Sequence, residues 1–112
     1  MAMYVVFQWS IQPEDDPRCK ELLAGVADHI RAEHPEITAT RLYSQWAGPL
    51  PRRAYIWTEE YADFEALDSG ELTPTCLEVW KPIEQMAQPG TWTTSVWFDG
   101  PENAQMARGA GT

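Results

Sequence analysis

The stretch "YIWTEEYADFEAL", Tyr55 to Leu67, changes its period halfway along. Up to Trp57, aromatic and other residues alternate, as on a strand whose side chains point to two faces in turn. After Glu59 and Glu60 the apolar residues Tyr61, Phe64 and Leu67 fall three apart, which is one short helical face. The passage reads as a strand with Tyr55 and Trp57 on one side, running into a short helix that Ser69 and Gly70 end. The two glutamates stand at the junction, where carboxylates complement the positive end of the coming helix. They also offer a carboxylate base at the mouth of a site.

Working outward, "YVVFQWSI" (Tyr4 to Ile11) is β-branched and aromatic and stops at the turn-forming "QPEDDP", so it is the first strand. From Asp15 or Asp16, Cys19, Leu22, Leu23, Val26 and Ile30 recur at helical spacing. Pro17 suits a first turn and Pro35 halts the helix after His34, giving about five turns. "ITATRLYSQW" (Ile37 to Trp46) has a strand's composition, "AGPLPR" is a loop, and "RAYIW" returns as the third strand. Thr73 and Pro74 resemble the cap and first position of another helix, which Cys76, Leu77, Trp80, Ile83 and Ala87 continue. Pro82 has no N–H for the carbonyl of Glu78, so this helix is expected to kink or restart near Lys81. After "QPG", "TWTTSVWF" (Thr91 to Phe98) is the fourth strand.

Strand, helix, strand, strand, two short helices, strand is a restrictive order. With a right-handed crossover, a hairpin and a second crossover it gives an α+β, ferredoxin-like βαββααβ domain over residues 1–98. Its four-stranded antiparallel sheet carries helices on one face only. The tail, residues 99–112, lacks periodicity and is expected to be loose. Val5, Phe7, Trp9 and Ile11 share one phase of the first strand, while Trp57 and Trp97 differ in phase from Ile56 and Val96 in their own strands. Both faces therefore carry apolar bulk. The natural cover for the helix-free face is a second copy, giving a homodimer and a dimeric α/β barrel.

Composition narrows the functions. The chain has 112 residues, 44% hydrophobic, and a formal net charge of -9. Its few basic residues do not cluster, so nucleic acid is not the expected partner. No apolar run is long enough to cross a bilayer, and the amino terminus lacks the features of an export signal, so a cytoplasmic protein is expected. Cys19 and Cys76 lie far apart without ligand-spaced histidines, so they read as small buried thiols and no metal site is expected.

"YVVFQWSIQPED", "YIWTEEYADFEAL" and "VWKPIEQMAQPGTWTTSVW" together resemble the dimeric α/β-barrel superfamily, particularly its antibiotic-biosynthesis-monooxygenase-like and NIPSNAP-like small proteins. The resemblance runs nearly to Phe98. It implies a pocket between helices and sheet for a flat aromatic or polyketide-like molecule, and a range of activities. Oxygenases without a metal or organic cofactor, haem-degrading enzymes, isomerases and cyclases all share the scaffold. The haem-degrading relatives use a histidine on the helix after the third strand, and residues 61–86 contain none.

Six tryptophans are more indole than so small a core needs. Of these, Trp9, Trp57 and Trp80 are candidate ligand contacts, although aromatics at strand and helix spacing are usually core. Cofactor-independent oxygenation needs a base and donors that hold an anion in a dry site. Gln8, on a central strand, either bonds a ligand or meets Ser10 at a dimer seam. Tyr43 and Arg41 share a strand face able to bind an anion, against the plainer reading of Arg41 as a solvated charge. His29 flanks the apolar stripe of the long helix, where it is either a proton carrier or a solvated edge residue; His34 reads as part of the helix end. Two classes of function stand: an enzyme on a hydrophobic small molecule using His29, Gln8, Tyr43 and Trp57, or a non-catalytic dimeric domain in which they are core and seam.

Overall fold

The structure, a computed structural model, describes residues 1–48, 53–69 and 74–99, without the side chains of residues 69 and 74–76. Four strands, β1 (Met3–Ile11), β2 (Ile37–Ser44), β3 (Arg53–Tyr61) and β4 (Thr93–Phe98), form one antiparallel sheet in the order β2-β3-β1-β4. Three α-helices, α1 (Asp16–Glu33), α2 (Phe64–Ser69) and α3 (Pro74–Met86), make the two crossovers, and a 3-10 turn (Pro13–Asp15) leads into α1. Because β3 lies between β1 and β2, and β1 between β3 and β4, each crossover joins parallel strands that are one strand apart. This is the ferredoxin-like arrangement expected from the order of elements.

Register assigns the faces. Phe7 pairs with Trp57, Trp9 with Tyr55 and Val5 with Glu59, so these side chains share one side of the sheet. Buried Cys19, Leu23, Val26 and Ile30 of α1, with Trp80 and Ile83 of α3, pack against that side and close the core. Spacings of four, three and four residues line up the α1 set on one stripe. Tyr4, Val6, Gln8 and Ser10 of β1, Ile56 and Thr58 of β3, Arg41 and Tyr43 of β2, and Trp97 of β4 point to the other side, which no helix covers.

Several boundaries differ from those expected. β3 does not stop at Trp57 but runs through both glutamates to Tyr61, so Glu59 and Glu60 belong to a strand and not to a helix start. Alternation continues with Glu59 occupying an apolar slot. As a result Tyr61 is buried on the sheet, and α2 starts at Phe64, which is 61% exposed. Leu77, placed by its spacing on the inner stripe of α3, is also exposed, since Trp80 and Ile83 carry the packing. Pro82 lies inside α3, which is a single element and does not restart at Lys81. β2 ends at Ser44, leaving Trp46 in the following loop and 96% exposed. Cys19 is a free, fully buried thiol as expected. The Cys76 side chain, Thr73 and the tail from residue 100 lie outside the described residues.

The α3–β4 connection is pinned to the end of β1. Gln88 N–H donates to Ser10 O at 2.8 Å, Thr91 Oγ1 donates to Gln88 O at 2.7 Å, and Ser10 N–H donates to Thr91 Oγ1 at 3.2 Å. Gly90 makes the reversal with φ +78°, a conformation open to glycine at little cost.

Candidate functional site

β3 builds the inner wall of the site. Its helix-side row is Tyr55, Trp57, Glu59 and Tyr61, all buried. Period two forces this outcome: with Trp57 and Tyr61 on the core side, the residue midway between them must point there too. A glutamate with 6% of its surface exposed is costly unless something meets its charge. Trp57 does so in part, its indole N–H donating to Glu59 Oε2 at 3.2 Å. Burial pushes the Glu59 pKa above the ordinary carboxylate value; the Trp57 hydrogen bond and His34 draw it down, and Glu36 raises it.

The helical layer supplies the imidazoles. His34 caps the end of α1, its backbone N–H donating to Ile30 O at 2.8 Å. Pro35 then turns the chain so that Glu36 comes back onto the ring, and His34 Nδ1 lies 2.7 Å from Glu36 Oε1. His34 is buried, whereas Glu36 reaches partly into solvent. The His29 ring, one turn earlier, meets the His34 ring edge-on with centroids 5.2 Å apart. Among the described residues, the Nε2 atoms of both histidines are buried without a hydrogen-bond partner.

Beside this polar cluster is an aromatic one. Trp80 of α3 meets Phe7 at 5.0 Å, Trp57 at 5.6 Å and Trp9 at 6.1 Å, while Trp9 stacks on Trp92 at 5.1 Å. Edge-to-face and offset contacts of this kind favour ring packing beyond the area they bury. At the far end, Cys19 is sealed beneath α1, and burial pushes its thiol up to about 11.

The open face of the sheet is of different character. Tyr4, Ala39, Arg41, Tyr43, Thr58 and Glu60 line a cleft of about 270 Å³. Gln8, Tyr43, Ser44, Gln45, Ala54 and Ile56 line a neighbouring one of about 290 Å³. Polar and apolar side chains are mixed here: Tyr43 is half exposed and Trp97 more so, its indole N–H donating to Ser95 Oγ at 2.8 Å.

The sheet backbone thus divides the residues singled out in the sequence. Trp9, Trp57, Trp80 and His29 lie on the helix side; Gln8, Arg41 and Tyr43 lie on the open side and meet no helix-side residue. Three residues that converge with Trp57 and His29 were not singled out for this role: Glu59 as a buried carboxylate, and His34 and Glu36 as a pair. The signal for Glu59 is its place in the alternating row between Trp57 and Tyr61. His34 and Glu36, two residues apart across a proline, carry no periodic signal.

No family model and no curated protein matches the sequence. Solved structures do match in fold. SnoaB, a cofactor-independent oxygenase from Streptomyces nogalater, superposes with a TM-score of 0.70 at 11% identity, over 88% of this chain and 93% of its own. An antibiotic biosynthesis monooxygenase gives 0.69 at 21% identity, over 88% and 99%. A dimeric ferredoxin-like protein of unknown function from Jannaschia sp. CCS1 gives 0.68 at 18% identity, over 88% and 100%. At such identities the likeness is one of backbone architecture. The chain has the ferredoxin-like α+β fold found in antibiotic-biosynthesis-monooxygenase-like proteins.

Proposed function

We propose that the chain is a cofactor-independent oxygenase of a hydrophobic, electron-rich hydroxyaromatic or polyketide-like molecule, working as a symmetric homodimer joined through the open face of the sheet. The observation that carries the chemistry is Glu59, a carboxylate held almost out of water against the Trp57 N–H, beside the aromatic wall of Phe7 and Trp80. A base whose pKa is raised toward the working pH is suited to removing a proton from a phenol or from a methylene next to a ring ketone. The resulting anion is rich enough in electrons to react with dioxygen directly. For an anthrone-type methylene, two C–H bonds are replaced by a C=O bond and one molecule of water forms, so no outside reductant is needed. Trp57 and Trp80 orient the flat ring, and the dry wall protects the anion from reprotonation.

Oxygen uptake by the purified protein with a panel of quinols and anthrones tests this reading. The expected result is uptake well above buffer, lowered about 10²–10⁴-fold in Glu59→Gln. A rate equal to buffer across the panel overturns it. The second reading, a non-catalytic dimeric ligand-binding or assembly domain, is favoured by one specific feature. The rings of Trp9, Trp57, Trp80 and Trp92 touch one another and fill space between helices and sheet, whereas the clefts lined by Tyr43 open on the other side. Saturable quenching of tryptophan fluorescence by the same compounds, without oxygen uptake, would favour that reading.

A further inference from the structure

The pairing of His34 with Glu36 settles which ring nitrogen carries the proton. An ionised carboxylate can only accept, so Nδ1 carries the hydrogen in the 2.7 Å contact and the neutral ring has its lone pair at Nε2. That lone pair is buried and has no donor among the described residues, although His34 is only 6% exposed. A buried acceptor without a donor is unusual in a folded protein and calls for an explanation beyond packing. Glu59 is within electrostatic reach of the same ring. It takes part in none of the ion pairs formed by arginine or lysine among the described residues. Around the cluster, α1 contributes His29 and His34, the turn into β2 contributes Glu36, and β3 contributes Glu59, with Tyr61 next in the same row; Val5 of β1 and Thr40 of β2 stand opposite Glu59.

We propose that Glu36, His34 and Glu59 hold one proton in common, with His34 Nε2 as its resting place whenever Glu59 is charged. The catalytic part of this role rests on the oxygenase reading above, while the sharing itself does not. In turnover the substrate's O–H or C–H bond breaks, the electron pair stays on the substrate, and a carboxylate oxygen of Glu59 takes the proton. Passage to Nε2 gives an imidazolium flanked by two carboxylates, with the charge on Glu59 restored. Once dioxygen has added and left a peroxide anion, the proton returns by the same route to the peroxide oxygen, and loss of water completes the balance. His34 is then a positioning and storage residue behind the catalytic carboxylate. Its fixed tautomer is what permits the storage.

Nuclear magnetic resonance of the whole chain tests the sharing without any substrate. ¹⁵N shifts of the wild-type ring should show His34 as the Nδ1–H tautomer at neutral to alkaline pH, and that preference should be lost in Glu36→Gln. ¹³C-carboxyl titration should place Glu59 at higher pH in His34→Asn than in wild type, because the positive partner is gone. A wild-type ring protonated at Nε2, or a Glu59 titration that His34→Asn leaves in place, overturns the proposal. The tautomer is read on the unaltered protein, so a variant that fails to fold does not remove the test. Where turnover is present, His34→Asn should lower kcat more than it changes KM and move the pH profile upward with Glu59. A protein inert toward every quinol sinks the oxygenase reading alone.

Discussion

A carboxylate that burial holds above its ordinary pKa ionises less readily in the folded chain than in the unfolded one. Glu59 is in that position, so its linkage runs against the usual case of a salt-bridged acid. Below the unfolded glutamate value both states are protonated and its contribution is fully present; as pH rises through the raised folded value, that contribution is lost. Glu59→Gln keeps an oxygen for the Trp57 N–H and removes the charge. Urea midpoints for this variant should fall less between acid and alkaline pH than those of wild type, leaving the variant the more stable protein in alkali. Parallel profiles would show that Glu59 does not titrate abnormally. The residue was hidden in the sequence for a clear reason: a pair of glutamates before an apolar triplet satisfies the electrostatics of a helix start, and this local rule competes with the alternation that Tyr61 extends. His34 and Glu36 could not be paired from sequence, because their contact depends on the turn at Pro35 and on which way the ring faces.

At the scale of elements, strong periodicity was readable and boundaries were not. β1, α1 and the core half of β3 follow from residues that repeat in step with their own geometry, and α1 ends next to Pro35 as its sequence indicates. The ends of β2, β3 and α2 were set by tertiary pairing, which lets a strand continue past the point where its composition weakens. Pro82 shows the same override, since the packing of Trp80 and Ile83 holds α3 together where propensity alone would break it. Gly90 gives the element-scale prediction. Nothing lies within 4 Å of where its Cβ would stand, so Gly90→Ala meets only the backbone cost of a positive φ. The expected loss is about 1 kcal/mol, read as a lower denaturation midpoint with an unchanged slope. No loss at all would mean that the turn re-forms with another φ.

For the whole molecule, the order of strands and the one-sided helical layer were legible because connection rules leave few topologies for this order of elements. The apolar content of the helix-free face was legible only in part. Tyr4, Val6, Ile56, Tyr43 and Trp97 lie there as alternation predicts, but Gln8, Thr58, Glu60 and Arg41 are set among them. Pairing through this face should therefore leave a seam with hydrogen bonds as well as apolar contact. Ile56, opposite Gln8 on a central strand, is the sharpest probe. Ile56→Glu should sediment as a single chain with its far-ultraviolet circular dichroism intact, while wild type sediments as a pair; a wild type that stays single at micromolar concentration removes the seam.

The row of Trp57 and Glu59 faces its own chain's helices, and His34 and Glu36 come from the same chain. Whatever association the other side of the sheet supports, no borrowed side chain is needed to complete this cluster. A mixed pair of one intact and one Glu59→Gln copy would accordingly work at half speed, neither silenced nor rescued by its companion. The two surfaces are then free to diverge independently, one under selection for company and the other for chemistry.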